Sequence, residues 1–388
     1  MADRSAEIRF LLMACALELS ASRKKQLGDF LAQYPLDWKR VYGLAKRHRL
    51  IPYLCRTLPA LTQVNESFLQ TIQNDNKLMA IDGLVKQQQY RLLDALLNKH
   101  GIGHMAFKGV YLAEHGYPDP SLRISGDIDV LVDQSLAFRA IEILQAEKYS
   151  LSPKHQLYFQ DGEQKLLDDL YEVSLFKQVF NNPIDIDLHW KILCFNKDYA
   201  GFDLSYIQSQ PTHSHELQVV LLVSHHGVTN IWQQIYYIND LYFLLNGKPT
   251  DWLWLLAEMR RYGLERVFLV GLYWCQELWS LAMPETIRNL LADDAIRSLA
   301  NGYEANWESD EPIEFSPLVL SQLTFFAKTQ QQTRKKLKIY ATFATSRVFR
   351  ASTFKIGKQL VYIPREFGPI TVFIRAIRSF SRFFVPAK

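Results

Sequence analysis

Asp127 and Asp129 stand two residues apart in the run Asp127-Ile128-Asp129-Val130-Leu131-Val132. Alternate side chains of an extended strand project from one face, so this spacing aims both carboxylates the same way and sends Ile128 and Val130 into a core. Two neighbouring carboxylates repel unless a cation lies between them, and oxygen donors with positions left open suit a hard divalent metal that also takes phosphate. A second run repeats the pattern: Asp185, Asp187 and His189 alternate with Ile184, Ile186 and Leu188. A third carboxylate from this run completes a two-metal site of the kind that drives phosphoryl and nucleotidyl transfer. Asp187 and Asp185 are the candidates for it, and Glu172 on the preceding run is a further acid near the same face. The bland alternative for any such pair is a solvated strand face.

Complementary positive charge precedes the pair. Lys108-Gly109 falls where a short apolar strand gives way to a helix, a place where backbone N–H groups and a helix start meet phosphate. Arg123 and Ser125 directly precede Asp127, and Arg123 is equally suited to a structural ion pair with Asp127. Farther on, His225, Thr229, Trp232, Tyr236 and Asp240 recur at steps of four, three, four and four, which predicts one face of a helix. That face would stack on a base or hold a ribose, or else pack in a core around a His–Asp hydrogen bond. His213 and His215 with His225 and His226 are the remaining cluster of metal-ligand type, without cysteine partners.

These residues need elements to hold them. Residues 1–98 read as a helical lead-in. From 99 to 200 the pattern becomes strand, helix, strand and helix, followed by strands at 156–160, 171–179 and 184–190, the last two joined by an Asn181-Asn182-Pro183 turn. Residues 201–330 read as helical again, with one long helix over 217–245. The last segment, 331–388, carries thirteen Lys and Arg against one acid, Glu366, a net +12 in a chain whose total is +4. Its apolar residues Phe373, Ile374, Ile377, Phe380, Phe383 and Phe384, among Arg375, Arg378 and Arg382, follow helical spacing. Three contacts suit it: nucleic acid, an anionic membrane surface, or the acidic remainder of the chain.

The 388 residues suggest two or three units, and 48% hydrophobic with 22% charged residues fits a globular chain. Cys15, Cys55, Cys194 and Cys275 are scattered and read as reduced thiols of a cytoplasmic protein. No secretory signal or transmembrane run is expected, so the location is cytoplasmic, with the basic segment allowing peripheral membrane contact.

The stretch 103–109, then Tyr117-Pro118-Asp119-Pro120, Arg123 and 127–132, with Ile186-Asp187-Leu188-His189-Trp190 and the His225-His226 to Asp240 region, resembles a largely uncharacterised bacterial nucleotidyltransferase family of the DNA polymerase β-type superfamily. The resemblance implies an α+β polymerase-β-like core, a small mixed sheet with helices, flanked by helical regions. It implies Asp127, Asp129 and Asp187 as ligands of Mg²⁺ or Mn²⁺ in a two-metal transfer of a nucleoside monophosphate from an NTP to an acceptor that the sequence does not name. Lys108, Gly109, Arg123, Ser125, His225 and Asp240 become the nucleotide-side candidates. One departure stands out: the superfamily's Gly-Ser or Gly-Gly is Lys108-Gly109 here, and the run from Gly109 to Asp127 is longer than usual. A catalytically degenerate nucleotide-binding or scaffold protein is therefore the alternative expectation, and the basic amphipathic segment extends it to a peripheral membrane component of surface-polysaccharide synthesis.

Overall fold

The computed structural model describes residues 4–15, 20–61, 63–179, 182–192, 202–309, 315–348, 351–357, 359–371 and 373–374. Asn181, Cys194 and the amphipathic positions from Arg375 onward lie outside them. The chain divides into two compact units built from interleaved segments. The first takes residues 1–95, 106–128 and 210–329; the second takes 96–105, 129–209 and 330–388.

The second unit is organised on a five-stranded sheet. Its strands are β1 (His104–Ala106), β2 (Ile128–Val132), β3 (Ser150–Leu151), β4 (Glu172–Val179) and β5 (Asn182–His189), in the order β1-β2-β5-β4-β3. Every residue of β2 is buried, as expected of a strand with neighbours on both edges and cover on its faces. The hairpin β4–β5 is antiparallel and pairs Glu172 with His189 and Ser174 with Asp187. Ile184, Ile186 and Leu188 are fully buried while Asp185 is exposed and Asp187 half-exposed, so the alternation along β5 follows the sequence pattern. Asn182 and Pro183 lie within β5, opposite Val179 and Gln178.

Residues 156–160, expected as a strand, belong to a helix, Pro153–Gln160. The Ser152 hydroxyl caps it by accepting from the His155 N–H, and Pro153 occupies the first turn, where its missing N–H costs nothing. The partner strand of β4 is instead Ser150–Leu151. The basic C-terminal segment also holds a hairpin that its composition hides: β6 (Ser352–Ile356) pairs antiparallel with β7 (Gln359–Ile363). The hairpin docks within the second unit, with the Tyr158 hydroxyl donating to the Ala351 carbonyl at 2.9 Å and the Tyr362 hydroxyl donating to Asp161 at 2.7 Å.

The first unit is helical. The long helix Glu66–Lys99 contributes most of its length to it. The expected single helix over 217–245 is three pieces: Ser214–Leu222, a widened π-helical stretch Val223–Thr229, and Ile235–Leu245. Ile231 and Trp232 between them have φ of +44° and +52°, a conformation that non-glycine residues adopt only under constraint. The constraint is Trp232. Its ring is fully buried, its Nε1–H donates to the Val267 carbonyl at 3.1 Å, and its own carbonyl accepts from Trp307 Nε1 at 3.0 Å. Among the described residues no helix is long and apolar enough to cross a membrane.

Candidate active site

In the second unit, β2 and β5 are neighbours in the sheet. Asp129 from β2 and Asp187 and His189 from β5 present ligand atoms that all lie within 4.8 Å of one another. Asp129 and His189 are buried and Asp187 is half-buried. His189 Nε2 lies 3.1 Å from Asp129 Oδ1, and its Nδ1 lies 2.9 Å from Glu172 Oε2. The imidazole thus stands between two carboxylates, which fixes its ring plane and orients Asp129. The donor set is two carboxylate oxygens backed by a histidine that is itself held by a third acid. Asp129, Asp187 and His189 could together hold a metal ion, carboxylate oxygens suit a hard divalent cation, and Glu172 braces His189.

In the first unit, Lys108 ends the approach from β1 and Gly109 opens the helix Gly109–His115. Lys108 has φ +57° and ψ −134°, backbone geometry costly for a residue with a side chain. Its ammonium lies 4.7 Å from the Phe107 ring centroid. Gly109 is a close-approach position, since a Cβ there would overlap the Ser125 hydroxyl. That hydroxyl donates to the Asp127 carbonyl at 2.5 Å. The strand begins one residue after Asp127, at Ile128.

The same unit holds a buried polar network. Asp240 is fully buried; its Oδ1 accepts from Arg123 Nε at 2.7 Å and from the Tyr117 hydroxyl at 2.6 Å. Its Oδ2 lies 2.8 Å from His226 Nε2. Burial opposes ionisation of Asp240, but the Arg123 guanidinium and the His226 and Tyr117 donors outweigh it and hold its carboxyl below the usual carboxylate value. Burial likewise opposes charge on Arg123, and Asp240 overrides it, so the guanidinium stays firmly protonated. Burial, reinforced by the Asp240 charge, raises the Tyr117 hydroxyl well above its ordinary value and keeps it a donor. For His226, burial dominates over the Asp240 contact and pushes its pKa down to about 4.

Within the second unit the structure brings together Asp129, Asp187, His189 and Glu172, and within the first unit it brings together Gly109, Ser125 and the Asp127 carbonyl. Asp185 is exposed on β5, away from the buried end that carries His189. Arg123 forms its ion pair with Asp240, not the alternative pair with Asp127. The histidine bonded to Asp240 is His226; His225 sits with its Nδ1 3.0 Å from that of His226. The break at 230–234 shifts the register that a continuous helix would have kept. His213 stacks on Trp254 at 4.1 Å and lies 3.8 Å from Asp251, so the four histidines do not assemble as a ligand set among the described residues. Sequence reasoning missed Lys86, whose Nζ donates to the Ser125 carbonyl at 2.8 Å and to Asp82 at 2.5 Å. The available signal was a lysine on the buried stripe Lys86, Gln89, Leu93 and Leu97 of its helix.

A small mixed sheet with clustered carboxylates on neighbouring strands, a strand–turn–helix junction and flanking helices define a nucleotidyltransferase-type core. The chain matches the family model described as an uncharacterised nucleotidyltransferase over residues 34–280, more than half its length, and it belongs to that family. No curated protein and no solved structure gives a match to it.

Proposed function

We propose that the protein is a divalent-metal-dependent nucleotidyltransferase that moves a nucleoside monophosphate from an NTP to an acceptor hydroxyl or phosphate, with release of pyrophosphate. The observation that carries this reading is the Asp129–Asp187 carboxylate cluster, braced by His189, in a chain of nucleotidyltransferase family. In this reading Asp127, two residues upstream of Asp129, is the further metal carboxylate, and the ion is Mg²⁺ or Mn²⁺. A bound divalent cation supplies charge neutralisation at the phosphate oxygens and activation of the acceptor. The chain's own residues do the rest. Asp129 and Asp187 hold their carboxylates at fixed positions on adjacent strands, and Glu172 orients His189 against Asp129. Lys108, Gly109 and Ser125 are the groups assigned to phosphate, and His225 the group assigned to the nucleoside. The location assigned is the cytoplasm, with the basic 331–388 segment as the contact for an anionic partner.

Calorimetric titration of ATP, GTP, CTP and UTP, with and without Mg²⁺, tests the reading. Metal-dependent binding of at least one nucleotide is expected in the wild type. It should fall at least about 100-fold in Asp129→Asn, because a neutral amide cannot replace an anionic ligand. Equal binding by a folded Asp129→Asn protein would remove the site assignment. A second reading, a nucleotide-binding protein without transfer activity, is favoured by one observation: Lys108 stands in a left-handed conformation where the superfamily pattern has glycine. Pyrophosphate release with any acceptor excludes it.

A further inference from the structure

The segment Arg123–Asp127 carries Ser125 and Asp127, two residues to which the proposed reaction assigns roles, yet it lies between elements and no ladder or helix fixes it. Its geometry must come from tertiary contacts, and the first unit supplies three cationic donors to two successive carbonyls. Arg49 Nη1 donates to the Ile124 carbonyl at 3.1 Å, Arg123 Nη1 donates to the same oxygen, and Lys86 Nζ donates to the Ser125 carbonyl at 2.8 Å. Charged donors make the stronger hydrogen bonds, and a guanidinium presents its donors in a rigid planar fork. Fixing one edge of Arg123 therefore fixes what its other nitrogen reaches.

Asp240 is what fixes that edge. It accepts Arg123 Nε at 2.7 Å while Arg123 Nη1 turns to the Ile124 carbonyl. Tyr117 takes a second acceptor direction on Oδ1 and His226 one on Oδ2, so both oxygens of Asp240 are held. With Arg123 and Asp240 both buried and committed to each other, neither is disposed to bind nucleotide directly. We propose that Asp240 is a positioning residue: through Arg123 it sets the backbone of residues 123–127, and with it the Ser125 hydroxyl and the approach to Asp127. The consequence for transfer rests on the nucleotidyltransferase reading; the clamp itself does not.

The test uses the full chain with two variants, Asp240→Asn and Arg123→Lys, and two readouts. Hydrogen exchange of peptides covering 121–127 reports the clamp, with the β4–β5 hairpin as internal reference. Titration of Mg²⁺ with each of the four NTPs reports the consequence. Arg123→Lys is the discriminating variant. A lysine retains the buried charge pair with Asp240 but cannot reach the Ile124 carbonyl at the same time. Both variants are expected to exchange at 121–127 about tenfold faster than wild type with the hairpin unchanged, and to bind Mg–NTP about 10- to 100-fold more weakly. Unchanged exchange at 121–127 in folded Arg123→Lys overturns the proposal, as does fast exchange of this segment in the wild type. If Asp240→Asn does not fold, Arg123→Lys and the wild-type exchange rates decide the matter. A wild type that binds no NTP while showing the exchange contrast would end the nucleotidyltransferase reading and leave the clamp standing.

Discussion

A Cβ on Gly109 would overlap the Ser125 hydroxyl and come within 3.3 Å of the Asp127 carbonyl. Gly109→Ala must therefore displace the Ser125 hydroxyl or the segment that carries it, and overpacking of this kind costs about 1–3 kcal/mol. We expect a folded variant with a lower urea midpoint and Mg–NTP binding weakened by about tenfold or more, since the strain falls on Ser125 and Asp127. Unaltered affinity would mean that this junction does not face the phosphate. At this scale the sequence was informative where the pattern was local. Asp129, Asp187 and His189 were readable because strand alternation fixes their face from nearest neighbours alone. Arg123 and Asp240 were readable as candidates but not as partners, because 117 residues separate them along the chain. Lys86 was hidden for the same reason.

The elements show the same division. β2, β4 and β5 follow from alternating apolar residues, whereas Pro153–Gln160 was decided by its Ser152 cap and by a strand partner for β4 found elsewhere. The break after Thr229 was not readable, because a single buried ring sets it. Gly271 makes that ring's seat: a Cβ there would lie 2.6 Å from Leu241 Cδ2 and 2.7 Å from Trp232 Cζ2. Gly271→Ala should destabilise the first unit by about 1–3 kcal/mol, visible as a lower urea midpoint. A smaller cost of Gly271→Ala in a Leu241→Ala background than in the wild type would show that crowding and not helix propensity is the cause, since alanine is otherwise the better helix former. No loss in Gly271→Ala would mean that the Trp232 pocket yields freely.

For the whole molecule, two of the buried histidines, His48 and His226, contribute to the response to acid. Burial pushes His48 down to about 4, against the opposing Trp307 carbonyl contact, and His226 is likewise at about 4. His48 has a specific reason to resist protonation. Its Nε2 faces the Trp307 carbonyl at 3.0 Å while its Nδ1 takes the Ile235 N–H at 3.2 Å, so the neutral Nε2–H tautomer satisfies both and a second proton would confront a donor. In the unfolded chain both histidines take up a proton near pH 6.5, and in the folded chain only near 4. The unfolded state therefore binds more protons between these values, and stability falls as pH drops through that window. The loss is roughly 1.4 kcal/mol per pH unit for each histidine. Urea unfolding at pH 7 and pH 5 should show this decline, and His48→Gln should reduce it. A stability that is level between pH 7 and pH 5 would contradict the buried neutral state of both rings.

By itself the sequence determined the local facts: which strands alternate, which face carries the carboxylates, where a strand meets a helix, and which family the chain resembles. These depend on residues within a few positions of one another, where backbone periodicity fixes direction. Tertiary structure alone decided which histidine meets Asp240, what holds Arg123, where the helix over 217–245 breaks, and that part of the basic segment forms a hairpin on the second unit. Each of those rests on a contact between residues distant in the chain, and the spacing of residues along a sequence carries no term for such a contact.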